Sequence, residues 1–331
     1  MNMNKRTPLF TALPYLLLAI GIAVSLRLGT VSIPFRAFLP GHEPVMENII
    51  FWQRVYRILA AFLAGAVLSL CGAVLQTLFH NPLVSPYTIG ISGTASLGAT
   101  LAYILGWTWS WRFINSIQVS AFLFALVCLL GMLAFARRKR SDFLLHFILV
   151  GIVLNILAGS VILFLRYMAD PYEYMIVDRW LMGSVQVIDF SSLIPLLAVF
   201  ILCLAYFFFS HVRLDILAYG EEIARSRGID VTRFQKGCII ISALGVSIVV
   251  ATCGIIGFIG LVVPHLIKLT GTFHHRRLLH LSALYGGLFL VIADTLARTI
   301  LSPVEIPVGI LTSIVGGIIF FAILLNSRQQ V

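Results

Sequence analysis

The chain is 331 residues long, 60% hydrophobic and only 11% charged, with a mean hydropathy of +1.02. A water-soluble domain of that composition would leave apolar surface it could not bury, so a soluble fold is excluded and the bilayer becomes the solvent. The net charge of +10 sits in separate short loops without interleaved aromatics, which excludes nucleic-acid binding and points to membrane asymmetry and anionic lipid.

In chain order the apolar runs predict an all-α polytopic membrane protein, one domain over residues 1–331, with ten spans. The first is Phe10 to Leu28, preceded by Lys5 and Arg6. No small-x-small cleavage site follows it, so it reads as an uncleaved span. Next come Val55 to Phe79, Ile91 to Leu105, Ile117 to Ala136, Phe143 to Leu165 and Leu193 to Phe209. Cys238 to Cys253, Ile255 to Leu269, Leu278 to Leu296 and Val308 to Leu325 complete the set. The third and eighth are short and glycine-rich, as expected of tilted, broken or protein-shielded segments. With the N-terminus placed in the cytoplasm, the inner segments hold Lys5, Arg6, Arg137, Arg138, Lys139, Arg140, Arg213, Arg225, Arg227, Arg233, Lys236, Lys268, Arg276, Arg277 and Arg328. That is most of the 23 basic residues, so the positive-inside rule puts both termini in the cytoplasm.

Polar residues within so apolar a chain are the candidate functional groups. Arg54 and Arg57 share a helical face at the predicted outer start of the second span, where a helix N-terminus disfavours positive charge. Their pattern fits either snorkelling to lipid phosphates or outward-facing guanidiniums that receive carboxylates from a partner. The inner segment 211–236 holds Gly220, Glu221, Glu222, Arg225 and Gly228. Glu221 and Arg225 are spaced i, i+4 between two glycines, which predicts a short exposed helix, either an ordinary loop helix or one that a cytoplasmic partner grips.

Gln76 and Asn155 are single amides in apolar helices and predict interhelical hydrogen bonds. Asp294 and Arg298 form a second i, i+4 pair, with Asp294 deep enough to face protein or a water-filled path. Gly257, Gly260, Pro264 and His265 mark a helix break, and His265 has no acidic or thiol neighbour at metal-ligand spacing. The adjoining His274 and His275 read as a solvated loop. Cys71, Cys128, Cys203, Cys238 and Cys253 lie in apolar runs without CxxC spacing and read as packing residues. No phosphate loop, HExxH or nucleophile elbow occurs, so the chain carries no visible ATPase or other catalytic constellation, no metal site and no cofactor of its own.

Taken together, several blocks resemble the FecCD-type permeases of ABC importers for iron-siderophores, haem and cobalamin. They are Arg54-Val55-Tyr56-Arg57 leading into Gly65 to Gln76, then Asn81-Pro82-Leu83, Gly90-Ile91-Ser92 and Trp180 to Ser184. The Gly220 to Gly228 segment, Gly257 to His265, Ala293 to Arg298 and Glu305 to Gly309 follow in the same order. Tyr56 departs from relatives, many of which have proline there. The resemblance implies a cobalamin-importer-permease-like bundle of ten spans in a bacterial inner membrane, paired with a second copy or homologue. It further implies two cytoplasmic ATPase subunits that use the ATP, and a periplasmic or lipid-anchored substrate-binding protein. Residue by residue, Gly220 to Gly228 resembles the coupling helix that fits the ATPase, and Arg54, Arg57 and Arg298 resemble the arginines that receive glutamates of the binding protein. The expected cargo is an iron-siderophore, with haem or cobalamin as alternatives. An ion-coupled secondary transporter is the rival reading, and it expects buried midplane carboxylates and internal repeats, which the sequence does not display.

Overall fold

A computed structural model describes residues 8–29, 45–107, 109–111, 114–136, 143–185 and 189–327. Lys5, Arg6, Arg137, Arg138, Lys139, Arg140 and Arg328 of the basic tally lie outside the described residues. The helices are α1 (Pro8–Arg27), α2 (Val45–Leu78), α3 (Ile91–Ile104), α4 (Ser116–Ala136), α5 (Phe143–Met168) and α6 (Pro171–Leu181). They continue with α7 (Ile194–Phe209), α8 (His211–Leu217), α9 (Glu221–Ser226), α10 (Val231–Cys253), α11 (Ile259–Leu269), α12 (His275–Thr299) and α13 (Val308–Ser327). Strand structure among the described residues is confined to the two-residue antiparallel pair β1 (Ser110–Trp111) and β2 (Ile114–Asn115).

Each of the ten predicted spans corresponds to one helix: α1 to α5, α7 and α10 to α13. Six of them are long and apolar enough to cross a bilayer, and α3 and α11 are among the shorter ones. Helix α3 is largely buried, and its Thr94, Ser96 and Thr100 hydroxyls turn back onto carbonyls one turn earlier. This answers how a polar, short helix survives: protein shields it and its hydroxyls find partners within the helix. Helix α11 has 11 residues, roughly 16 Å at 1.5 Å per residue, and cannot span a ~30 Å hydrocarbon core unaided. The four residues before it, predicted as helical from Ile255, are extended or bent instead. Phe258 there takes a left-handed φ of 66°, a costly conformation for a bulky residue, and its side chain lies against Gly316 of α13.

One boundary differs by ten residues. Helix α2 starts at Val45 and runs unbroken for 34 residues, whereas the hydropathy pattern started it at Val55. Glu47, Asn48 and Gln53 keep the extension out of an apolar run, but none of them ends a helix, and Tyr56 supplies no proline to interrupt it. Arg54 therefore lies more than two turns inside the helix, beyond the first turn where the dipole acts. The objection to positive charge at that point disappears.

Helix α2 is the axis of the bundle, packed against α7, α10, α11 and α12. Lipid gives no hydrophobic drive between helices, so close packing must supply the contact energy. Glycines on facing helices provide it. A β-carbon on Gly65 would come within 2.2 Å of the Gly286 carbonyl oxygen on α12, and one on Gly72 within 1.8 Å of the Gly260 carbonyl oxygen on α11. At the far side, α5 leaves Leu149, Val153, Ile156 and Phe164 exposed, an apolar surface that needs lipid or another chain.

Replacing Gly72 by valine should therefore destabilise the detergent-solubilised protein by about 3 kcal/mol, the upper end of the overpacking range, and lower its thermal unfolding midpoint. Gly131, with nothing within 4 Å of a built β-carbon, should accept alanine without loss. Equal midpoints for the two variants would refute this account of the α2–α11 contact.

Candidate functional site

The ionisable residues collect at the two ends of the bundle. At one end Arg57 reaches from α2 to α12 and to the loop before α13. Its Nε donates to both Asp294 oxygens at 3.1 Å and its Nη2 to Oδ1 at 2.9 Å. Its Nη1 donates to Glu305 Oε2 at 2.9 Å and Oε1 at 3.2 Å. A planar fork with five N–H groups is the side chain able to serve two carboxylates at once. Arg298 Nε lies 3.1 Å from Asp294 Oδ2, as the i, i+4 spacing predicts, and Arg298 Nη2 donates to Ser25 Oγ of α1 at 2.9 Å. Arg54 Nη1 donates to the Leu26 carbonyl at 2.9 Å, satisfying a carbonyl at the end of α1 that has no partner within its own helix.

Two readings stood open for Arg54 and Arg57, snorkelling to lipid or facing outward to a partner's carboxylates, and the resemblance extended the second to Arg298; within this chain Arg54 is 6% and Arg298 3% exposed. Their guanidiniums turn inward because this chain supplies the acceptors itself: Asp294, which is 1% exposed, Glu305, Ser25 and the end of α1. Arg57 and Glu305 are the part of the network that solvent reaches, at 16% and 28% side-chain exposure. Of these five ionisable groups three are cationic and two anionic, so the cluster keeps one excess positive charge. Arg179 of α6 and Ser184 border the same small recess as Arg57 and Glu305. Ser184 N donates to the Cys253 carbonyl at 2.8 Å, which gathers three motifs that are far apart in the chain. Sequence reasoning quoted Glu305 only within a motif and passed over Arg179; acids and bases in apparent loops give no signal of their pairing.

Near the C-terminal end of α2, Gln76 meets the stretch of α11 between Gly260 and Pro264. Proline lacks the N–H that would reach back one turn to the Gly260 carbonyl. Gln76 Nε2 lies 3.0 Å from the Leu261 carbonyl and 3.5 Å from that of Gly260, so an amide of α2 serves the disturbed stretch of α11. Lys268 Nζ in turn donates to Gln76 Oε1 at 3.2 Å. His265 is not part of this group; its ring meets Phe320 edge-on at 6.2 Å between centroids. Gly257 lies 3.3 Å, measured from a built β-carbon, from Ser313 Oγ of α13. Among the described residues no three His, Cys, Asp or Glu side chains converge as a metal site would require.

The other end carries α8 and α9. Glu221 opens α9 and pairs with Arg225 at 3.1 Å, while its Oε1 accepts from Gln235 Nε2 of α10 at 2.9 Å. Gly220 and Gly228 bracket the helix with φ of 123° and 79°, conformations that favour glycine. Glu222 and Ile223 are exposed. Asn81 and Pro82 form the turn after α2, with Asn81 Oδ1 accepting from Leu83 N at 2.9 Å. His80 ends α2 in a left-handed conformation with φ of 47° and reaches the Leu217 carbonyl at 3.0 Å.

His275 was expected in a solvated loop and is instead 2% exposed. Helix α12 begins at His275, three residues before the apolar pattern does, and this turns the ring into the bundle. Asp215 of α8 accepts from both the backbone N–H and Nδ1 of His275, each at 2.7 Å, and Thr77 of α2 lies 2.8 Å from Nε2. Asp215 thus caps α12 from a different helix. His274 is solvated as expected, with 89% side-chain exposure.

The described residues thus form a helical bundle with the Arg57–Asp294–Glu305 network at one end and the short helices α8 and α9 at the other. The FecCD transport family model matches residues 17–326, and the chain belongs to that family. It is 33% identical to the hemin transport system permease protein HmuU of Yersinia pestis, with 99% of each chain covered. It is 33% identical to the molybdate import system permease protein MolB of Haemophilus influenzae, covering 92% of both. It is also 34% identical to the vitamin B12 import system permease protein BtuC of Klebsiella pneumoniae, covering 95% of this chain and 93% of the relative. A solved ABC transporter chain described as metal-chelate type and inward-facing superimposes with a TM-score of 0.86 at 31% identity, covering 97% of this chain and 100% of that one. The chain is thus an ABC importer permease of this family, whose members work with ATPase and substrate-binding partners.

Removing one member of a buried ion pair leaves an uncompensated charge at a cost of about 3–5 kcal/mol, whereas a partly exposed pair is worth about 0–1 kcal/mol. Asp294→Asn should accordingly destabilise the purified protein far more than Glu305→Gln, read as unfolding midpoints in the same detergent. The reverse order would show that the Arg57 cluster is not organised around Asp294.

Proposed function

We propose that this chain moves a metal chelate, a ferric siderophore in the first instance, across the bacterial inner membrane, with haem or cobalamin as the alternative cargo. The observation that carries the reading is the match over nearly the whole chain to a metal-chelate-type transporter, joined by relatives named for hemin, molybdate and vitamin B12. The narrowing to ferric siderophore rests on the family resemblance of the motifs. An ion-coupled mechanism finds little support, since Asp294 is already held between two guanidiniums.

In this reading the α8–α9 end is cytoplasmic and α9 enters a cleft of the ATPase. Exposed Tyr219 and Ile223 on either side of the exposed Glu222 support a protein partner there, and Asp215 and His80 tie that surface to α12 and α2. The Arg57 end faces the binding protein. Burial restricts Arg54 and Arg298 to holding α1 and α12 in place, so Arg57 is the guanidinium a partner's glutamate engages, in exchange for Glu305. Driven from the cytoplasmic end, closure of the ATPase pair shifts the equilibrium between outward and inward states.

Replacing residues 220–228 with a flexible linker of equal length should abolish co-purification of the ATPase while the chain still inserts; undiminished assembly would refute the coupling role. For orientation, a cysteine at Tyr219 should react in spheroplasts only with a membrane-permeant reagent and one at Trp109 with an impermeant one, and the opposite pattern would invert the topology. Arg57→Glu should weaken binding-protein docking, most at low salt, with partial rescue by a Glu-to-Arg change on the binding protein. Which chelate the cognate binding protein retains, measured by mass spectrometry, tests the cargo.

A further inference from the structure

Two recesses abut at the α8–α9 end of α12. One, of about 460 Å³, is bordered by His274, Arg276, Arg277 and His280, with Phe208 of α7. The other, of about 370 Å³, follows α12 between α11 and α1, with walls that include Leu281, Leu288 and Ile292 of α12 and Leu266 of α11. Arg277 borders both. Thr270 and Thr272 line the apolar recess, Leu266 and Ile292 leave its wall exposed to the side, and Leu13 of α1 is a further part of the wall.

Charge decides what would fill this shape. Among the described residues neither Arg276 nor Arg277 is ion-paired with a carboxylate. Asp215, the acid nearest the cluster at 4.0 Å from His274 Nδ1, is already bound to the N–H groups of His275. Arg276 lies over the Phe208 ring at 5.9 Å. His280 is shared with Tyr15 of α1. A basic basin therefore opens directly into an apolar groove. From Arg277 to Ile292 the groove follows roughly 22 Å of helix at 1.5 Å per residue, against ~15 Å for one leaflet's hydrocarbon. The matching molecule is anionic at one end, apolar along its length and already dissolved in the same bilayer.

We propose that this composite groove is a binding site for an anionic glycerophospholipid, with its phosphodiester on Arg277 and Arg276 and one acyl chain along Leu281 and Leu288. Basic pockets between helices at the cytoplasmic side are where anionic headgroups dock, so the assignment to the inner leaflet rests on the orientation proposed above. The bound lipid packs α1 against α11 and α12, the helix that continues to the Arg57 network.

The test uses the full-length chain in phosphatidylcholine nanodiscs doped with a phosphatidylglycerol carrying a photoactivatable acyl chain. Cross-links should map to residues 263–292, and native mass spectrometry should show phosphatidylglycerol retained over phosphatidylcholine. Arg277→Gln should reduce that retention about fivefold, the effect of roughly one surface cation near anionic lipid, and Arg277→Lys should largely restore it. Leu281→Trp should displace the chain with every charge kept, and Arg179→Gln, at the other end of the bundle, should leave phosphatidylglycerol retention as in the unaltered chain. Labelling spread evenly over α5 and α7, or equal retention by Arg277→Gln and Arg179→Gln, would overturn the proposal. So would labelling that vanishes when the ATPase or a second copy is bound, since a protein would then own the groove. None of these readouts involves substrate, ATP or the binding protein, so a negative result leaves the importer reading intact.

Discussion

Inside hydrocarbon no water is at hand for a backbone carbonyl or a side-chain charge, so a buried polar group is costly unless another part of the chain meets it. That constraint explains where the unusual residues are. Pro264 disturbs the carbonyls of α11, and Gln76 of α2 is the amide that serves them. The last carbonyls of α1 are met by Arg54. Helix α12 starts with its first N–H on Asp215, supplied by a separate helix. Even the short α3 keeps its hydroxyls on its own carbonyls. Each of these irregularities comes with a polar partner.

Close backbone approach is the second consequence of the same solvent. Without water to drive helices together, α2 is drawn to α11 and α12 through Gly72 opposite Gly260 and Gly65 opposite Gly286. Those contacts fix the spacing at which Arg57 can reach Asp294 and Gln76 can reach the α11 backbone. Both α2 and α12 are unbroken between the two charged ends, whereas α11 is short, preceded by irregular chain and interrupted by Pro264. The bundle therefore contains two continuous rods and one discontinuous element on the same axis, as transport proteins often do where a path must open.

The Arg57 cluster shows how charge is made tolerable at such depth. Asp294 is almost wholly buried between Arg57 and Arg298, and Glu305 occupies the remaining donors of Arg57 nearer to solvent. Buried ion pairs of this kind are modest contributors to stability when complete and expensive when broken. Their value here is geometric: one guanidinium joins α2, α12 and the approach to α13, and a second ties α12 to α1.

By itself the sequence determined that the chain lives in a bilayer, that it has ten apolar helical segments, that a short helix lies between Gly220 and Gly228 with an internal Glu221–Arg225 pair, and that Asp294 pairs with Arg298. All of these follow from composition or from spacings within one helix, which depend only on local geometry. Only the tertiary structure decided that α2 begins at Val45, that Arg54 and Arg298 are buried while Arg57 bridges Asp294 and Glu305, and that His275 is buried on Asp215. The partners responsible, Glu305 for Arg57 at a separation of 248 residues, Asp294 for Arg57 at 237 and Asp215 for His275 at 60, lie on other elements. No periodicity along the chain records which distant group will satisfy a charge; packing of one helix on another makes that choice.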